Sequence, residues 1–213
     1  MSRDVARLLR FLLPMLTAAL APAVVMAQAI EPVRPDDRTL GSADAPVTLT
    51  VYLSATCGHC AAWHTTDLPT IKAKYVNDGQ VRIVYRDLPT PPQTLAVAGA
   101  TMARCAPEDR YDDVLDGLFR GQAALQAGPY PAAARIWLAQ AGAAGGMTIE
   151  QMNACMQDPA GKAVVEARGE QAIDDGVEFT PAFFVNGSPV LLTSKTHDVA
   201  AFDAVLQPLL AGR

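Results

Sequence analysis

Apolar positions change their period several times along the chain, and each change marks an element. "VTLTVYLS", Val47 to Ser54, is nearly all apolar and rich in β-branched residues, as a strand buried on both faces would be. After it, "AAWHTTDLPTIKAKYV" predicts a helix over 58–76, with Leu68, Ile71 and Tyr75 at helical spacing. Pro69 removes a backbone donor there and predicts a kink. Asn77-Asp78-Gly79 stops the helix, and "VRIVYR", Val81 to Arg86, follows as a second strand. Strand, helix, strand implies two parallel strands in one sheet.

"DLPTPP" at 87–92 breaks the pattern. Residues 93–157 are alanine-rich and poor in strand signals, and Val114, Leu115, Leu118 and Phe119 keep helical spacing, so three or four helices are expected. Thr148 and Gln151 have capping-box spacing. Asp158-Pro159 opens a further helix, expected to run to about Asp175 with Gly176 as its stop. "AFFVNG", Ala182 to Gly187, ends in a hairpin signal, with "PVLLT" as its partner strand. Asp198 then caps a last helix, Val199 to Leu210. The order βαβ, helical block, helix, hairpin, helix defines an α/β chain.

The first residues differ in kind. Arg3, Arg7 and Arg10 precede the uncharged run Phe11 to Met26, and small residues follow at "AQA". This is the order of a secretory signal peptide over 1–29, cleaved after Ala29 or Ala27. Residues 30–46 are polar and punctuated by proline, which reads as a flexible arm. The remaining divisions are 47–92, the helical insertion 93–157 and 158–213. Of the 213 residues, half are hydrophobic and 18% charged, enough for a core, and the net charge of -5 argues against binding nucleic acid or an anionic membrane. All four cysteines, Cys57, Cys60, Cys105 and Cys155, follow the leader, and an exported chain favours disulfides over metal binding.

"CGHC" puts Cys57 and Cys60 at the junction of a strand and the helix after it. Unpaired N–H groups at a helix start favour a thiolate, so Cys57 should ionise more readily than an ordinary thiol. Cys60, one turn behind, can resolve a mixed disulfide. His59 between them can donate a hydrogen bond or a charge to the thiolate, or stand as a solvated spacer. A rival reading takes Cys57, Cys60 and His64 as copper or zinc ligands in a metal-tolerance protein, although a second ligand pair is missing and His197 is far along the chain.

Three blocks, "CGHC", "LPTIKAKYVNDGQVRIVYRD" and "FTPAFFVNG", together resemble the DsbA-like thioredoxin-fold oxidoreductases of bacterial envelopes over roughly residues 40 to 211. The resemblance implies a thioredoxin fold (βαβ–ββα) with an all-α insertion. It implies Cys57 as nucleophile, Cys60 as resolving cysteine, and Gly58 and His59 as the dipeptide that tunes the potential. Thr180 and Pro181 match a cis-proline loop facing the disulfide; a trans proline opening an edge strand is the alternative. Val51 stands where such proteins often carry a buried acid, and Ala55, where an aromatic is common, is expected to open the surface beside the site. Phe179 is expected in the core, with a place in a peptide groove as the alternative. Cys105 and Cys155 read as a structural disulfide, with a second redox pair or two buried thiols as alternatives. The expected activity is donation of the Cys57–Cys60 disulfide, without other cofactor, to folding proteins of the periplasm. A DsbB-like membrane partner would reoxidise the pair, and the protein would be monomeric. A disulfide isomerase or reductase would use the same residues.

Overall fold

The computed structural model describes residues 29–127, 129–190 and 198–212. Nearly all of the expected leader lies outside the described residues, as do residues 191–193 of the second hairpin strand and His197. Within the described residues one mixed sheet holds β1 (Arg38–Leu40), β2 (Val47–Leu53), β3 (Val81–Asp87), β4 (Ala182–Val185) and β5 (Ser188–Val190), in the order β1-β3-β2-β4-β5. β2 and β3 run parallel, while β1–β3, β2–β4 and β4–β5 are antiparallel.

Alternation along the strands sorts side chains onto two faces. Val47, Leu49, Val51 and Leu53 join Ile83, Tyr85, Phe183 and Val185 in the main core. Tyr52 and Phe184 point the other way, into a smaller cluster with Ile30, Ala172 and Val177. With both faces covered, β2 needs the nearly continuous apolar run its sequence has, and its buried Thr50 hydroxyl donates to Pro32 O at 3.1 Å.

The helix after β2 starts as α1 (Gly58–Ala62), widens into a π turn (Trp63–Asp67), returns to α2 (Leu68–Ile71) and widens again (Lys72–Val76). Pro69, lacking an N–H, sits in the first turn of α2, so the interruption expected there takes the form of flanking π turns. The insertion comprises α3 (Gln93–Cys105), α4 (Tyr111–Ala127), α5 (Ala132–Ala144) and α6 (Ile149–Gln157). Thr148 and Gln151 make the reciprocal capping box of α6. Asp158 caps α7 (Pro159–Asp174), and Gly176 follows at φ +77°. Asn186 and Gly187, both at positive φ, turn β4 into β5, and Asp198 caps α8 (Val199–Ala211). A disulfide joins Cys105 at the end of α3 to Cys155 in α6, with Cα atoms 6.0 Å apart. Among the described residues no helix is long and apolar enough to cross a membrane.

Segment 30–46, expected as a flexible arm, is instead bound along the fold. Ile30 N–H donates to Gly187 O at 2.8 Å, and Arg34 Nη2 donates to Asp175 Oδ1 at 2.7 Å. Asp37 is buried, and its carboxylate accepts from Arg86 Nη2 at 2.8 Å and Arg168 Nη1 at 3.2 Å. Burial pushes its pKa up, but Arg86, the Arg34 N–H and Arg168 outweigh this and hold it below the usual carboxylate value. The segment reads as solvated because its partners lie 49 and 131 residues further on.

Candidate active site

β2 delivers the chain into a short loop, Ser54 to Thr56, and α1 begins at Gly58 with Cys57 as its N-cap. Cys57 has extended backbone angles, φ -80° and ψ 118°, so its sulfur folds back over the first helical turn and accepts from Cys60 N–H at 3.4 Å. Cys57 is partly exposed and Cys60 fully buried. As a thiol, Cys57 Sγ donates to the Thr180 carbonyl at 3.3 Å. The Thr180–Pro181 peptide, which sets that carbonyl beside the sulfur, is cis.

The two sulfurs differ sharply in acidity. The Cys60 thiol donates to Cys57 and is the largest cause of its acidity. Burial opposes it, and Thr180 with the backbone N–H groups of Cys60 and His59 adds to it, so the Cys57 pKa falls to about 5. Burial, then the adjoining Cys57 sulfur, pushes the Cys60 thiol well above its ordinary value. His59 contributes through its backbone N–H, and its side chain is exposed. Gly58 is exposed too, and a Cβ there would meet nothing within 4 Å.

Neighbouring residues fix the loop. Thr90 N–H donates to Ser54 Oγ at 3.1 Å, and Thr56 Oγ1 donates to Thr90 O at 3.0 Å. From α4, the buried Gln122 amide donates to Ala55 O at 2.8 Å and to Cys57 O at 3.2 Å. Gln122 went unnoticed in the sequence. Its signal was a polar residue continuing the stripe of Leu115, Leu118 and Phe119. Ala55 is buried rather than opening the surface, because α3 packs onto it at Gly99: a Cβ on Gly99 would lie 2.6 Å from Ala55 Cβ. An aromatic at 55 would collide with α3. Phe179, expected in the core, is 61% exposed next to the Thr180–Pro181 loop. Val51 is enclosed between Tyr85 and Phe183 of the adjacent strands.

His64 is turned to a different cluster. Its Nε2 lies 3.2 Å from Asp112 Oδ1, and its ring packs on Phe119 with centroids 4.9 Å apart. Burial acts to raise the Asp112 pKa, yet His64, Lys72 and Tyr85 together hold it well below the carboxylate range. Among the described residues no three His, Cys, Asp or Glu side chains are grouped to hold a metal ion, and His64, the third residue of the rival ligand set, faces Asp112.

A family model described as thioredoxin matches residues 34–207. A protein of Rickettsia conorii named "Putative protein-disulfide oxidoreductase" is 29% identical over 168 residues, covering 78% of this chain and 59% of that protein. The chain thus spans about three fifths of that relative's length. Among solved structures, alpha-DsbA1 of Wolbachia pipientis superposes with a TM-score of 0.73 at 22% identity, over 84% of this chain and 94% of that one. Oxidised BdbD of Bacillus subtilis gives 0.75 at 17% identity, over 88% and 100%. In both, the likeness is one of fold. The matched residues take in Cys57, Cys60, Pro181 and the helical block between β3 and α7, and the chain belongs to the thioredoxin family.

Proposed function

We propose that the chain is an exported thiol–disulfide oxidoreductase that passes its Cys57–Cys60 disulfide to folding proteins of the periplasm. The observation that carries this reading is the split between the two sulfurs. An accessible sulfur with a pKa of about 5 sits over a buried one held far above its ordinary value. A stabilised Cys57 thiolate favours the dithiol form, and that makes the disulfide an oxidant. The name of the rickettsial relative supports the same chemistry.

In the proposed cycle a client thiolate attacks Cys57 Sγ. The Cys57–Cys60 bond breaks, and Cys60 leaves and takes up a proton. A mixed disulfide now joins the client to Cys57. A second client thiolate attacks the client sulfur of that bond, and Cys57 departs as a thiolate. The client gains one disulfide, and two electrons stay on the Cys57–Cys60 pair. A DsbB-like membrane partner then removes them. The Thr180 backbone beside the cis peptide offers a short edge to an extended client. No cofactor beyond the cysteine pair enters the cycle, and the protein works as a monomer.

The test is the equilibrium reduction potential of the pair, titrated against glutathione. A value from about -120 to about -180 mV is expected. A value of about -270 mV or lower would replace the oxidant with a reductase. A stable dimer that reshuffles scrambled disulfides would point to an isomerase.

A further inference from the structure

The helical block meets the active-site loop at a cavity of about 200 Å³. Its wall is made by Thr56, by Pro92 and Leu95 at the start of α3, by Gln122, Leu125 and Gln126 near the end of α4, and by Tyr130. This is smaller than the ~300–1,000 Å³ of small-molecule sites and suits one side chain. No charged residue lines it. Two of its polar members are engaged elsewhere, Thr56 with the Thr90 carbonyl and the Gln122 amide with Ala55 O and Cys57 O, while Gln126 is exposed. Pro92, Leu95, Leu125 and the Tyr130 ring form the apolar part of the wall, and Tyr130 is 67% exposed. An exposed aromatic over an apolar hollow is a recognition feature.

Position names the occupant. The cavity begins at Thr56, the residue before Cys57, and so adjoins the active-site loop. An extended client advances ~3.3 Å per residue, so side chains within two positions of its reacting cysteine reach no further than ~7 Å along the chain. We propose that this cavity is a specificity pocket for the client, filled by an apolar side chain lying within two residues of the cysteine being oxidised. The proposal rests on the exchange reaction above and adds the client's sequence preference to it.

The experiment uses the oxidised full chain and short peptides with one cysteine. Leucine or its near-isostere asparagine is placed in turn at each position within two residues of that cysteine. The rate of mixed-disulfide formation is measured for each. At one of these positions leucine should react about tenfold faster than asparagine with the natural protein. In Leu125→Gln, and separately in Leu95→Gln, that ratio should fall towards one. The second variant serves if the first loses its helical circular dichroism. A ratio near one in the natural protein, or an unchanged ratio in both variants, overturns the pocket. Glutathione separates the two failures. Exchange with glutathione but no peptide preference removes the pocket alone. No exchange with glutathione or with any peptide removes the underlying reaction and the pocket with it.

Discussion

At the scale of single residues, the Cys57 sulfur owes its acidity first to the Cys60 thiol and only then to Thr180 and the backbone. Replacing Cys60 by alanine should therefore raise the Cys57 pKa from about 5, while serine, which keeps an O–H donor, should raise it less. The ultraviolet absorbance of the thiolate reads this directly, and equal values for the two variants would refute the hydrogen bond. The same shift ties stability to pH. The folded value of about 5 lies below the ordinary 9.0, so the thiolate's contribution is fully present above about pH 9 and is lost as pH falls through about 5. Urea unfolding of the reduced protein against Cys57→Ser should show a gap that closes with acidification. "CGHC" was legible because its chemistry is local, whereas the Thr180–Pro181 loop, which meets Cys57 from 123 residues away, was read from the family resemblance. The Gln122 tether and the contact of Ala55 with Gly99 were not, because each joins residues far apart along the chain.

At the scale of elements, α3 lies against the active-site loop at a glycine. A Cβ on Gly99 would lie 2.6 Å from Ala55 Cβ and 2.9 Å from Trp137 Cη2, and neither neighbour is the end of a flexible chain. Gly99→Ala should cost about 1–3 kcal/mol through overpacking. Ala55→Gly in the same chain should recover part of that loss, and strict additivity of the two changes in urea denaturation would disprove the contact. Most elements were legible from period and caps: Thr148 marks the start of α6, Asp158 that of α7, and Asn186-Gly187 the hairpin. The π turns were hidden because widening a turn by one residue leaves the apolar spacing almost unchanged. β1 was hidden because "RTL" is three residues long and half-exposed, with its register set by β3.

Across the whole molecule, the Cys105–Cys155 bridge closes a loop of 50 residues inside the helical block. Constraining the unfolded chain over that length is worth about 4 kcal/mol in the entropy model. The double variant Cys105→Ala/Cys155→Ala should melt lower by roughly 10 °C. Its active-site potential should not move, because the block reaches the loop through Gly99 and Gln122, away from the bridge. A moved potential at an unchanged melting point would make the pair a second redox centre. Asp37 carries a different consequence, one of time. It leaves the ribosome 131 residues ahead of Arg168, one of the two guanidinium groups that pair with its buried carboxylate. Sealing that carboxylate in earlier would strand a charge at a cost of several kcal/mol. Segment 30–46 therefore closes fully only once α7 has been made, although it stands early in the sequence.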